Sequence, residues 1–355
     1  MFRNFKLVPK VIFGRGCFAQ LDEIVGDQRQ SDEDWAVFVV DDVFKGTGFA
    51  DQIPCNDKDH LLWVNTADEP KTTYVDALTA EVKGQAPTLP CGIIGIGGGS
   101  AMDLAKAISL MLTNPGSATA YQGWDLIKNP AVWHAAVPTL SGTGAEVSRT
   151  AVLTGPEKKL GLNSDYTVFD QVVLDPKIVT GMTKEQHFYT GMDCYIHCVE
   201  SLEGTYLNEF SKAYGEKSMD LCRQVFLADD PDAADKLMMA SFFGGMSIAY
   251  SQVGASHALS YGLSYVLGTH HGVSCCITFD ALEAFYPQGV KEFRAMMEKT
   301  GVDIPRQVCA DVTQDQMNTM ITVTLGLDPL WENCLGKDWK SIMTRDKVRA
   351  LFEKM

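Results

Sequence analysis

The sequence of 355 residues predicts an α/β domain over residues 1–179 followed by an all-α domain over residues 180–355. Three observations lead there. Up to about Thr180, short apolar runs of strand length alternate with amphipathic helical segments, the pattern of a sheet whose strands are joined by crossover helices. One of those runs, CGIIGIGGGSAMDLAK, passes through a glycine turn directly into a helix. After VVLDPKIVTGMT the texture changes to long helical patterns such as TGMDCYIHCVESLEGTY and KLMMASFFGGMSIAYSQ. A chain of this length that is 46% hydrophobic can bury a core in each half.

In chain order, KLVPKVIFG alternates like an edge strand or hairpin arm, and FAQLDEIV after Gly16 reads as a short helix. The first buried strand is WAVFVVDD, 35–42, and it ends in two carboxylates, Asp41 and Asp42. Ligands of α/β sheets bind beyond strand C-termini, so an acid there can hydrogen-bond a ribose diol and repel a 2′-phosphate. A solvated strand end or a helix cap explains the acids equally well. HLLWVNT, 60–66, is the next strand and TTYVDALTAEVKG the next helix.

The glycine turn from Gly97 to Ser100 lets backbone amides approach a phosphate, and the helix that follows adds its positive end. A plain strand-to-helix turn uses the same residues. No Lys-Ser/Thr pair follows, so this is not a P-loop. The acid-ended strand precedes the glycines instead of following them by about 20 residues, so the pattern is Rossmann-like without the usual fingerprint. AAVPTL is a further strand and runs into SGTGAEVSRTAVLT, read as a polar loop around Ser141 and Thr143 that either closes over a cofactor or connects two elements.

In the helical half, GMDCYIHCVE places Asp193 and His197 four residues apart, one helical turn, so both side chains leave one face. Most such pairs are ordinary helix contacts, and two ligands do not close a metal site. A second stretch, GASHALSYGLSYVLGTHHGVS, sets His257 and His271 on either side of a small-residue-rich helix that ends near Gly268. Of the seven histidines in the chain, four fall in these two stretches. Asp193, His197, His257 and His271 would supply one carboxylate and three imidazoles, a set suited to Fe(II) or Zn(II) with room for a substrate oxygen.

The net charge of −15, with no basic block against it, disfavours nucleic acid and anionic membrane as partners. Pro9, Lys10, Gly14 and Arg15 interrupt any signal-peptide core at the basic, apolar start, and no run of about 18 apolar residues occurs. The ten cysteines are scattered, Cys194 and Cys198 on the candidate metal helix and Cys275 beside Cys276, with no CxxC pair. That is neither a disulfide framework nor a zinc-finger pattern. The expectation is a reduced, cytoplasmic protein without membrane or nucleic-acid partners.

GGGSAMDLAK, PTLSGTGAEVS, LDPKIV, GMDCYIHCVE and the HHGVS ending follow one another in an order that resembles the iron-containing (group III) alcohol dehydrogenase family over nearly the whole chain. The resemblance implies a Rossmann-like nucleotide-binding domain followed by a helical metal-binding domain, an architecture shared with dehydroquinate synthase. It places the metal ligands on Asp193, His197, His257 and His271, the set reached above from donor chemistry. It places the pyrophosphate site on Gly98, Gly99 and Ser100, the adenosine loop on Thr139 and Thr143, and the ribose acid on Asp41. Lys159 would be a further cofactor contact, and Asp103 would lie toward the nicotinamide. The implied cofactors are NAD, favoured over NADP by the carboxylate at the ribose, and one divalent metal, Fe(II) or Zn(II). The implied assembly is a homodimer.

The chain departs from the family where a second histidine usually stands four residues after His257, for here that position is Tyr261. A phenol, with its ordinary pKa of about 10, is a weaker base than imidazole but can relay a proton. His270, where the family commonly has proline, is the competing proton carrier. Trp331 reads as a core residue. Within the family the chain, with its short C-terminal half, most resembles bacterial enzymes that oxidise the C8 hydroxyl of 3-deoxy-D-manno-octulosonate (Kdo). That would give an aldehyde ready for amination by an aminotransferase partner. The alternatives are a generic NAD-dependent dehydrogenase of small alcohols or diols, a lyase like dehydroquinate synthase, and a non-enzymatic metal-binding protein.

Overall fold

The computed structural model describes residues 6–179, 181–228 and 230–355. They fall into two compact units. Among the described residues, one comprises those from Lys6 to Leu140 and from Ala145 to Gly181, and the other comprises Ser141–Gly144 with Met182–Met355. A single boundary between residues 179 and 180 does not contain the four-residue excursion at 141–144, which the Gly144 amide ties to the helical unit by donating to Ser241 Oγ at 3.3 Å.

In chain order the first unit contains β1 (Lys10–Phe13), α1 (Leu21–Gly26), β2 (Ala36–Asp41), β3 (His60–Val64), α2 (Thr72–Gln85), β4 (Gly92–Gly97) and α3 (Gly99–Met111). It continues with β5 (Gly123–Trp124), β6 (His134–Pro138), β7 (Thr150–Thr154), β8 (Lys159–Asn163) and β9 (Gln171–Leu174). The main sheet runs β1-β9-β6-β4-β2-β3 and every pairing recorded in it is parallel. Parallel sheets are covered on both faces, which is why the central strands read as unbroken apolar runs instead of alternating ones.

The two faces of β2 show this directly. Val37 and Val39 point into a cluster with Ile93, Val75, Leu78, Leu104 and Ile108, while Phe38 and Val40 point into another with Ile94, Ile96, Phe18 and Leu21. At about 1.5–3 kcal/mol for each fully buried aliphatic or aromatic side chain, these strands are held by packing on both sides. Strand β1 has Lys10, Val11 and Phe13 exposed and pairs in parallel with β9, so KLVPKVIFG supplies an edge strand and not a hairpin arm.

The stretch SGTGAEVSRTAVLT is not loop throughout. TAVLT forms β7, which pairs antiparallel with β8 in a small sheet of order β5-β8-β7. Ala151 and Leu153 are fully buried there, and this packing makes the segment extended. The loop before it is pinned by Lys106 of α3, itself fully buried. Its amine donates to Ala145 O at 2.6 Å, Ser148 O at 2.9 Å, Ser148 Oγ at 3.0 Å and Thr150 O at 2.9 Å.

The second unit is helical. It runs α4 (Lys184–Leu202), α5 (Glu209–Phe226), α6 (Ala233–Tyr250), α7 (Ala255–Leu267), α8 (His271–Asp280), α9 (Pro287–Thr300) and α10 (Gln314–Leu325). The short helices α11 (Asp328–Leu335), α12 (Trp339–Ile342) and α13 (Arg345–Phe352) follow. Helix starts carry side-chain caps: Thr183 accepts the Gln186 amide, and Asn208 forms a capping box with Ser211. Helix α7 stops at Gly268 in the left-handed conformation, φ 69°, as its sequence indicates. Trp331 is fully buried, stacks on Trp339 at 5.9 Å and donates to Thr324 O at 2.8 Å, a core residue as read. Among the described residues no helix is long and apolar enough to cross a membrane.

Candidate functional site

The helical unit gathers its ligand candidates from three helices. Asp193 and His197 lie one turn apart on α4, His257 lies in the first turn of α7, and His271 opens α8. Helix α8 reaches α4 closely because Gly272 has no side chain. A Cβ there would sit 2.8 Å from the Tyr189 carbonyl, a contact real Cβ atoms do not make. From Asp193 Oδ1, the distance is 3.6 Å to His197 Nε2, 3.3 Å to His257 Nε2 and 3.6 Å to His271 Nε2. The His197 and His257 rings stack at 4.7 Å, and the His257 and His271 centroids are 5.4 Å apart.

Asp193 is fully buried, yet neither of its carboxylate oxygens has a hydrogen-bond partner, and the same holds for His257 Nε2 and His197 Nδ1. Leaving such atoms bare in an apolar interior costs about 1–3 kcal/mol each, more for a charge, so the orphans that face one another, the Asp193 oxygens and His257 Nε2, point to a ligand. Burial opposes ionisation of Asp193, but the surrounding imidazoles outweigh it and hold the carboxyl well below its usual range. Burial also lowers the His197 imidazole to about 3, which leaves it neutral and able to donate a lone pair. One carboxylate and three imidazoles gathered around it form a donor set that fits a divalent cation.

Two residues at this site escape sequence reasoning. Glu200, fully buried on α4, accepts the Ser256 amide at 2.6 Å through Oε1 and approaches His257 Nδ1 to 2.5 Å through Oε2. It therefore fixes both the start of α7 and the orientation of the His257 ring. The seven-residue step from Asp193 to Glu200 keeps it on the same helix face, and that was its available signal. Cys275 is the other. One donor atom each from Asp193, His257, His271 and Cys275 lie within 4.8 Å of one another. Its signal was the four-residue step from His271, the same spacing that marks Asp193 and His197.

Tyr261 is half-buried and meets His271 edge to face, with the ring centroids 5.9 Å apart. His270 is exposed at the residue before α8, where its carbonyl accepts the Ser274 amide at 2.9 Å. The structure thus brings Tyr261 against a ligand candidate and records only a backbone role for His270.

In the α/β unit, the C-terminal ends of β2 and β4 are neighbours, and this joins Asp41 to the glycine turn. Gly97 has φ +154°, and a Cβ on it would lie 2.5 Å from Ala101 Cβ and 3.1 Å from Asp41 Cβ. Asp41 also accepts from Thr66 Oγ1 at 2.8 Å and the Val43 amide at 3.2 Å. Burial pushes its carboxyl above the ordinary value. Of the two acids, Asp41 is therefore the one beside the turn, whereas Asp42 accepts from Asn65 at 3.0 Å. Gly98 is the N-cap of α3, with Gly99 and Ser100 in its first turn, where amides lack intrahelical partners.

Thr139 donates its amide to Gly97 O at 2.9 Å and so belongs to this end of the sheet, while Thr143 lies in the segment that clusters with the helical unit. Asp103 accepts the Val152 amide at 3.1 Å and so links α3 to β7. Lys159, its side chain 1% exposed, pairs with Glu69 at 3.1 Å. Both residues hold protein partners.

The family description "Iron-containing alcohol dehydrogenase" matches residues 9–176, and "Fe-containing alcohol dehydrogenase family, C-terminal" matches residues 187–354. Sulfoacetaldehyde reductase of Bilophila wadsworthia is 33% identical over 227 residues, covering 61% of this chain and 58% of that protein. Alcohol dehydrogenase 4 of Schizosaccharomyces pombe is 32% identical over 200 residues, covering 54% of this chain and 47% of that protein. The chain thus spans about half the length of those two relatives. 4-hydroxybutyrate dehydrogenase of Cupriavidus necator is 30% identical over 289 residues, 75% of this chain and 73% of that protein. Among solved structures, that of sulfoacetaldehyde reductase from Bifidobacterium kashiwanohense in complex with NAD+ has a TM-score of 0.81 at 20% identity, covering 99% of this chain and 98% of that one. That level of identity speaks to the fold, and the sequence match extends over both units. The chain belongs to the iron-containing alcohol dehydrogenase family.

Proposed function

We propose that the protein is a metal-dependent, NAD-linked oxidoreductase that interconverts small primary alcohols and aldehydes. The observation that supports this most is the convergence of His197, His257 and His271, at 3.3–3.6 Å, on a buried Asp193 carboxylate that has no hydrogen-bond partner. When bound, a divalent ion would supply Lewis-acid polarisation of the substrate oxygen, and NAD would exchange the hydride.

The chain's own residues divide the remaining work. Asp193, His197, His257 and His271 would hold the ion, with His197 kept neutral by burial. Glu200 keeps the His257 Nδ1 proton in a hydrogen bond, so that Nε2 presents its lone pair. Tyr261, edge-on to His271, passes the hydroxyl proton toward solvent. Gly98, Gly99 and Ser100 offer amides to the pyrophosphate, and Asp41 accepts from the ribose diol and disfavours a 2′-phosphate.

The relatives' names favour small substrates, since sulfoacetaldehyde and 4-hydroxybutyrate are short chains oxidised or reduced at a terminal carbon. No residue of this chain singles out the C8 hydroxyl of Kdo, and the small-alcohol reading takes its place. The test is absorbance of reduced nicotinamide with Fe(II)- or Zn(II)-loaded protein and a panel of short alcohols, ω-hydroxy acids, their aldehydes and Kdo. Turnover of short substrates is expected. Turnover of Kdo alone would restore the sugar-acid assignment, and none with any substrate would remove the dehydrogenase reading.

A further inference from the structure

We propose that Cys275 is an additional ligand of the metal, a thiolate that this chain sets beside the carboxylate and imidazoles and that turns the site toward Zn(II) and away from Fe(II). The proposal rests on the metal-site reading above and adds a donor of a different chemical class. Cys275 is fully buried and lies one turn along α8 from His271, on the same face. Its sulfur is 3.7 Å from His271 Nε2 and 3.8 Å from His271 Nδ1. One donor atom each from Cys275, Asp193, His257 and His271 lie within 4.8 Å of one another. Both Asp193 oxygens and His257 Nε2, in that cluster, are buried without a partner.

Neighbouring donors about 2.0–2.3 Å from one ion stand roughly 2.8–3.8 Å from one another, for angles of about 90–110° at the ion. The His257 Nε2 to Asp193 distance of 3.3 Å, the His271 to Asp193 distance of 3.6 Å and the 3.7 Å from Cys275 to His271 have these dimensions. As the ion enters, the Cys275 S–H proton leaves to solvent and a sulfur–metal bond forms, with no change of oxidation state. Thiolate is the softest donor available here, and adding it to ligands that accept either ion favours Zn(II), the borderline-soft ion that also binds such sites more tightly than Fe(II). Cys276 is buried beside it but is not part of the four-residue group, so it serves as an internal control.

The test is the absorption spectrum of the whole chain loaded with Co(II). Ligand-field bands report an ion in the site, and a sulfur-to-cobalt charge-transfer band in the near ultraviolet reports a thiolate on it. The native chain and Cys276→Ser are expected to show both. Cys275→Ser and Cys275→Ala are expected to keep the ligand-field bands, lose the charge-transfer band, and lose more affinity for Zn(II) than for Fe(II). Ligand-field bands without a charge-transfer band in the native chain would overturn the Cys275 proposal and leave the metal site standing. Absence of both would overturn the metal site and the proposal with it.

Discussion

Glu200 Oε2 lies 2.5 Å from His257 Nδ1, while Oε1 of the same carboxylate accepts the Ser256 amide at 2.6 Å. A buried acid between α4 and the first turn of α7 thus fixes which nitrogen of His257 keeps its proton and which faces Asp193. Losing such a partner of a metal-ligating histidine typically costs 10- to 100-fold in metal affinity. Glu200→Gln, which keeps the volume, should weaken Zn(II) binding by roughly that factor in competition with a chromophoric chelator. Unchanged affinity would mean that the His257 ring is held by something else. Glu200→Ala should also cost about 1–3 kcal/mol of stability, because the Ser256 amide is left buried and bare.

On the proposed function, Asp41 is expected to decide between the nicotinamide cofactors. Its carboxylate lies against the Gly97 turn in a partly desolvated position, so a 2′-phosphate nearby meets like charge. NADH should bind at least about tenfold more tightly than NADPH, or ~1.4 kcal/mol. Asp41→Ser should shrink that gap in fluorescence titrations. Tighter NADPH binding by the unaltered protein would show that the acid has no such role.

Lys106 is a stability residue, because its amine supplies donors to four acceptors around the loop that leads into β7. Lys106→Met should lower unfolding free energy by about 2–4 kcal/mol in urea titrations. Burial pulls the ammonium from 10.5 to about 8. Between those values the unfolded chain holds more protons than the folded one, so this residue's contribution to stability grows as pH rises from about 8 toward 10.5. The margin of the unaltered protein over Lys106→Met should widen across that window; a margin that narrows would refute the burial-lowered amine.

Tyr261 meets His271 edge to face at 5.9 Å. Tyr261→Phe should keep metal and NAD affinity and slow turnover by roughly 10²-fold, the lower end for loss of an acid–base group. The opposite pattern, normal turnover in Tyr261→Phe with a large loss in His270→Ala, would transfer the proton to the exposed histidine.

Much of the framework is legible in the sequence because its signals are local. Strands β2 and β4 are apolar along their length because both faces are covered, and the Gly97 turn and the Asp193 to His197 spacing each lie within one short window. What was hidden depends on distant partners. Glu200 sits on the visible face of α4, but its role is set by Ser256 and His257, more than fifty residues away. Strand β7 was masked by the glycine- and serine-rich loop before it, and only burial of Ala151 and Leu153 makes it a strand. Cys275 carries the right spacing from His271, yet without a second cysteine at CxxC distance nothing in the sequence marks it as a ligand.

The most direct measurement follows the reduction of NAD by short primary alcohols in protein stripped of metal by a chelator, in the same protein reloaded with Fe(II) or Zn(II), and in His271→Ala. Stripping should abolish turnover and reloading should restore it. His271→Ala should stay inactive after reloading while its far-ultraviolet circular dichroism remains that of the folded chain. Metal-free protein that turns over as fast as the loaded form would contradict a reaction built on the Asp193, His197, His257 and His271 cluster.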